Sequence, residues 1–179
     1  MHPKLDILLT WEIDTIDFYF EKGLANFIHV YNNANDEMKF PKLSDKSLAI
    51  GAFRYFRQSV LYELNAMVEH YLQIASTGDE SILLSNKLLK RGRSESIKII
   101  FEKYNIDIQN LAGYSSIKAL YSIVNALKHR GGYEQTDFSG KIPRIKSVNS
   151  DIDSLREIKE ASYQFVKSLV NSILLIEGK

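Results

Sequence analysis

The sequence predicts an all-α fold: a single antiparallel helical bundle of four or five main helices, with residues 1–179 forming one domain. Three observations predict it. Apolar residues recur at spacings of three and four in nearly every long segment, the period of a helix with one buried face. Only nine glycines and three prolines occur, too few for many short strands and tight turns. With 179 residues, 45% hydrophobic and 25% charged, the chain has material for one sizeable core.

Each element follows from local pattern. Ile13, Ile16, Phe20, Leu24, Phe27 and Tyr31 make one stripe, which predicts a helix over 10–33. Thr10 is its expected N-cap, with Glu12 and Asp14 in the first turn opposing the positive end of the helix dipole. The Asn-rich stretch at 32–36 ends it, and Pro41 sits in the loop beyond. Ser44 or Asp45 then caps a second helix reaching Ala75, with Phe53, Phe56, Val60, Leu64, Met67, Tyr71 and Ile74 on one face. At 1.5 Å per residue it spans roughly 45–50 Å, long enough for a central spine unless it kinks.

Shorter segments follow. A helix is expected over Ser81–Arg91, stopped by Gly92, and another over Ser94–Tyr104 with Ser94 as cap. A connector over 106–112 leads to Gly113, and Ser115 opens a helix that ends at Gly131-Gly132. Residues 133–150, with Gly140 and Pro143, read as a loop or short irregular hairpin. Asp151 or Asp153 starts the last helix, whose apolar positions are Leu155, Ile158, Phe165, Leu169 and Ile176. Phe53, Phe56, Leu64, Leu120, Val124, Leu127, Phe165 and Leu169 are the expected core.

Several chemistries are excluded by what is missing. Without cysteine there is no disulfide framework, thiolate zinc site, cysteine-ligated cluster or cysteine nucleophile, which fits a reducing cytoplasmic setting. The residues three positions before His29, His70 and His129 are Asn26, Met67 and Ala126, so the Glu-x-x-His pairs of a di-iron bundle are absent. Neither Gly140-Lys141 nor Gly178-Lys179 makes a phosphate-binding loop, and His-Glu-x-x-His does not occur. No cofactor and no metal is therefore expected. No apolar run approaches the ~20 residues of a membrane span, and the N-terminus lacks a signal-like apolar region, so no membrane partner is expected.

Charge is uneven although the chain is only +1 overall. Residues 1–86 carry −5, residues 87–146 carry +7 and the remainder −1. The basic block holds Lys87, Lys90, Arg91, Arg93, Lys98, Lys128, Arg130, Lys141, Arg144 and Lys146. It suits an anionic partner such as RNA or a nucleotide, and equally suits two halves of a bundle, or two protomers, attracting each other.

The helix from Ser115 to Arg130 is the most informative. Ile117, Leu120, Val124 and Leu127 form one stripe, and Lys118, Ser122, Asn125 and His129 form another on roughly the opposite face. An amine, a hydroxyl, an amide and an imidazole thus stand in one line, with His129 between Lys128 and Arg130 just before the double glycine. Lys-His-Arg before Gly-Gly is also an ordinary helix stop, because cations oppose the negative dipole end and glycine accepts the left-handed turn.

The stretch Ile123-Val-Asn-Ala-Leu-Lys-His-Arg-Gly-Gly132, near the end of the penultimate long helix, resembles the motif region of HEPN domains (higher eukaryotes and prokaryotes nucleotide-binding). The second helix, with Glu63 and Glu69, is similar to the acidic second helix of that family. The family motif is an arginine, often followed by a polar residue, with a histidine after four to six intervening residues. Asn125 matches the polar position and His129 the histidine, while Ser122, Ile123 and Val124 occupy the positions open to the arginine. The resemblance implies a single HEPN-like domain that acts on or binds RNA, a metal-independent endoribonuclease of a prokaryotic toxin–antitoxin or antiviral defence system. In that reading His129 moves protons and Asn125 orients the phosphate or imidazole. Lys118, Ser122, Lys128 and Arg130 contact RNA phosphates, and Glu69 is more simply an ion-pair partner. The implied partners are a second copy of the chain, joined through the His129 helix, with RNA or a nucleotide, or a protein such as an antitoxin. The alternative is a non-catalytic helical protein-interaction or dimerisation module.

Overall fold

Each helix buries one apolar stripe, and together these stripes set the architecture. The computed structural model describes residues 4–35, 37, 44–78, 92–129 and 148–178. They form α1 (Lys4–Asn33), α2 (Asp45–Thr77), α3 (Arg93–Tyr104), a short 3-10 turn (Ile108–Asn110), α4 (Tyr114–His129) and α5 (Val148–Ile176), with no strand among the described residues. The fold is an all-α helical bundle.

α2 is the spine, packing against α1, α3, α4 and α5. It can do so because two adjacent stripes are apolar: Phe53, Val60, Leu64, Met67, Tyr71 and Ile74 are buried, and so are Leu61, Val68, Leu72 and Ala75. Ser44 caps it, its Oγ accepting from the Ser47 N–H at 3.2 Å. Gly78 closes it at φ 77°, with its N–H bonded to the Ile74 carbonyl.

α1 runs antiparallel to α2. Phe27 stacks on Phe53 at 4.3 Å, Phe20 meets Phe56 at 6.2 Å, and the Tyr19 hydroxyl donates to Ser59 Oγ at 3.2 Å. As the α1 number falls, its α2 partner's number rises. Gly23 permits the close approach, since a Cβ there would lie 2.2 Å from the Phe56 ring. α5 meets α1 through a charged seam. Lys159, 5% exposed, is ion-paired with Asp17 and lies over the rings of Phe20 and Tyr163, whose hydroxyl donates to Asp17 at 3.1 Å. Burial alone would lower the Lys159 pKa, but Asp17 and Glu160 hold it above its ordinary value.

Several sequence expectations need correction. α1 starts at Lys4, so Thr10 is not its cap; the Thr10 hydroxyl instead donates to the Asp6 carbonyl one turn back. The reason is Leu9, 2% exposed, which extends the Ile13 stripe by a turn and is buried only if the helix starts early. α2 runs two residues beyond Ala75. α3 begins at Arg93 with Gly92 at its N-cap and no side-chain cap, so Ser94 lies inside the first turn. The register that buries Ser96, Ile100 and Tyr104 sets that start. α4 opens at Tyr114, one residue before Ser115, and α5 at Val148, which places Asp151 in its first turn rather than at its start. Phe56 and Leu127 are half-buried rather than core, and Ile176 is 53% exposed at the end of its stripe. Of the loop expected over 133–150, residues 148–150 are the first turn of α5; the rest of it, the helix expected over Ser81–Arg91 and the glycine stop at 131–132 lie outside the described residues.

Candidate functional site

α4 is amphipathic in the sense the sequence predicts. Ile117, Leu120 and Val124 are buried, each no more than 1% exposed, and Ile123 joins them. On the other side Lys118 and Ser122 are exposed and Asn125 is half-buried; Lys128 is exposed too, beside Val124. The Ser122 hydroxyl donates to the Lys118 carbonyl at 3.0 Å, which leaves its lone pairs as acceptors. His129 is the last residue of α4, while its side chain and all of Arg130 lie outside the described residues. Three of the six sequence-predicted site residues, Lys118, Ser122 and Asn125, therefore share one outward-facing side of one helix, while Lys128 stands at the edge of the buried stripe one turn on from Val124.

Tertiary packing adds a cleft beside this face. It has a volume of about 170 Å³ and is lined by Glu69, Leu72 and Gln73 of α2, by Gly92, Arg93 and Ser96 at the start of α3, and by Tyr121 of α4. The Arg93 guanidinium lies over the Tyr121 ring, 4.7 Å from its centroid. Burial lowers the Arg93 pKa, with Tyr114, Tyr121 and Glu69 acting in the opposite sense. Glu69 enters no ion pair among the described residues; its Oε1 accepts a hydrogen bond from Asn65 Nδ2 at 3.0 Å. Of the lining residues, Ser96 Oγ accepts from Ser76 Oγ at 3.5 Å and Gln73 is buried.

Sequence reasoning missed this cleft. Arg93 stands there as one cation of a basic block, and Tyr121 falls between the two stripes of α4. The signal is tertiary, because α2, α3 and α4 must pack before the three residues meet. Of the rest of the basic block, Lys98 is exposed and pairs with Glu102 at 3.7 Å. Lys87, Lys90, Arg91, Lys141, Arg144 and Lys146 lie outside the described residues.

His29 and His70 fall apart from α4. His29 is exposed, its carbonyl accepting from Asn33 Nδ2 at 2.8 Å. His70 is half-buried on α2, and burial holds its pKa below the ordinary value against the pull of Glu69 and Glu63. Among the described residues no group of three or more His, Asp or Glu is placed to hold a metal. No described helix is long and apolar enough to cross a membrane. Comparison of the chain with family models, with curated proteins and with solved structures returned no match.

Proposed function

We propose that this chain is a HEPN-like, RNA-directed helical protein whose working surface is the outward side of α4. One observation carries the reading: Lys118, Ser122 and Asn125 face away from the buried Ile117–Leu120–Val124 stripe, on the helix that ends at His129, with Lys128 exposed at the edge of that stripe. Cation, hydroxyl and amide side chains are among the groups that contact a nucleic-acid backbone. In RNA cleavage by the strand's own 2′-hydroxyl, the 2′-oxygen attacks the adjacent phosphorus and the 5′-oxygen leaves. His129 is the group that takes the 2′ proton or returns one to the 5′-oxygen near neutral pH. Asn125 orients the phosphate, Lys128 and Arg130 oppose the charge that builds on it, and Lys118 and Ser122 hold neighbouring phosphates.

The three positions open to the family arginine are Ser122, Ile123 and Val124, and the latter two are buried. No guanidinium fork stands on α4 there, so slow cleavage, or binding without cleavage, belongs to the same reading. A homodimer across α4 would join two such faces into one groove. The biological setting we propose is a prokaryotic toxin–antitoxin or antiviral defence system, with no metal and no cofactor.

The test is incubation of single-stranded RNA without divalent metal with wild type, His129→Ala and a Lys128→Glu/Arg130→Glu variant. Expected is cleavage lost in His129→Ala, or salt-sensitive binding lost in the charge-reversed variant. Absence of both cleavage and binding at low salt in wild type overturns the reading.

A second reading, a non-catalytic protein-interaction module, is favoured by α1. Ile7, Trp11 and Phe18 are 67–69% exposed and lie along one outward line of that helix. An apolar line of that kind fits a protein partner. A Trp11→Ser/Phe18→Ser variant that loses self-association or partner capture while keeping RNA binding would separate the two surfaces.

A further inference from the structure

The α2–α3–α4 cleft holds a mismatch of partners. Arg93 is half-buried yet makes no hydrogen bond or ion pair among the described residues; it lies over the Tyr121 ring and feels the charge of Glu69. A guanidinium carries five N–H donors in a fixed fork, and ring stacking satisfies none of them. Across the same cleft Glu69 is held by Asn65 through Oε1, which leaves the second carboxylate oxygen as an acceptor. The lining is thus a donor fork on one side and a fixed acceptor on the other.

That pairing discriminates between ligands. A phosphate would meet Arg93 favourably but would be repelled by the Glu69 carboxylate. A neutral planar group with donors on one edge and acceptors on the other satisfies both. Among the nucleobases guanine has this arrangement: N1–H and N2–H₂ side by side for a carboxylate, and O6 with N7 for a guanidinium. Adenine would set its N1 lone pair against Glu69, and cytosine likewise its N3. Uracil offers a single ring N–H between two carbonyls. The volume of about 170 Å³ is close to that of the roughly 150 Å³ cavity that takes benzene, so the cleft is of a size to admit one aromatic ring edge.

We propose that this cleft is a guanine-binding subsite, with Glu69 accepting from the Watson–Crick edge of the base and Arg93 donating to O6 and N7. The proposal deepens the RNA reading above and rests on it for the source of the base. Tyr121, Asn125 and His129 follow one another at intervals of four along α4, so the cleft stands roughly 12 Å along the helix from His129. That is a short step along an extended single strand. The subsite would set which nucleotide lies next to the position His129 addresses.

The test measures binding of guanosine, adenosine and inorganic phosphate to wild type, Glu69→Gln and Arg93→Lys by calorimetry. It is paired with anisotropy titrations of oligouridine with and without a single internal guanosine. Glu69→Gln keeps the Asn65 contact and Arg93→Lys keeps the charge, and thermal unfolding checks that both variants fold. Expected is guanosine bound at least tenfold more tightly than adenosine, without competition from phosphate, with at least a tenfold loss in each variant. The guanosine-containing oligonucleotide should bind more tightly than oligouridine. Equal binding of the two nucleosides, or displacement of guanosine by phosphate, overturns the subsite. Guanosine bound by a protein that binds no RNA keeps the subsite, fed by free nucleotide, and removes the RNA reading. RNA bound without any preference for guanine does the reverse.

Discussion

Arg57 and Asp151, ninety-four residues apart, form a buried ion pair across the α2–α5 contact, Nη1 to Oδ2 at 3.2 Å, with side chains 6% and 1% exposed. Burial pushes the Asp151 carboxyl up and the Arg57 guanidinium down, against their mutual attraction. Desolvation therefore offsets much of the Coulomb gain, and the cost of breaking the pair differs from the cost of replacing it. Asp151→Asn, which removes the buried negative charge beside Arg57, should destabilise by about 3–5 kcal/mol in urea unfolding. The double replacement Arg57→Met/Asp151→Leu should cost clearly less than the single change.

Two glycines should respond with opposite signs to alanine. Gly113 sits at φ 81° where the chain enters α4, and a Cβ there would lie 2.2 Å from the Ala161 carbonyl oxygen of α5. Gly113→Ala should lose at least about 1–2 kcal/mol from left-handed strain alone, with the backbone clash added. Gly51 lies inside α2, and its added Cβ meets nothing within 4 Å. Gly51→Ala should gain about 0.5–1 kcal/mol, read from the same urea transitions.

The two faces of α4 should separate in a stability assay. Leu120, fully buried, should cost about 2–5 kcal/mol when truncated to Ala, because the neighbouring helices refill the space only in part. Lys118, exposed on the other face, should change stability by no more than about 0.5 kcal/mol as Lys118→Ala, while weakening any RNA complex.

His70 predicts an acid-side loss of stability. Burial lowers its pKa in the folded chain, with Glu69 and Glu63 opposing, so the folded state binds this proton less readily than the unfolded state does. Its contribution is fully present above the ordinary histidine value of about 6.5 and is lost as pH falls through the lower folded value. The urea midpoint should decline as pH falls below the ordinary histidine value, and His70→Gln should flatten that decline. Glu12, whose pKa burial raises, acts in the opposite sense at lower pH, so the comparison belongs above the carboxylate range.

Periodicity alone determined which segments are helices and which side of each faces inward, because a stripe at intervals of three and four has one low-energy use in water. Phe53, Leu64, Leu120, Val124, Phe165 and Leu169 are buried on the strength of that pattern, and the polar line Lys118–Ser122–Asn125 faces out for the same reason. Helix starts were less legible. Leu9 drew α1 past Thr10, and the packing of Ser96 and Ile100 drew α3 past Ser94, since burial gains outweigh a cap worth about 1 kcal/mol. What only the tertiary structure decided are the pairings between distant residues. Arg93 reaches Tyr121 and shares a cleft with Glu69 because α2, α3 and α4 pack together, and Arg57 finds Asp151 because α2 meets α5. A charge carries no periodic signal of its partner. Its choice is made by which helices touch, and at what depth water is excluded between them.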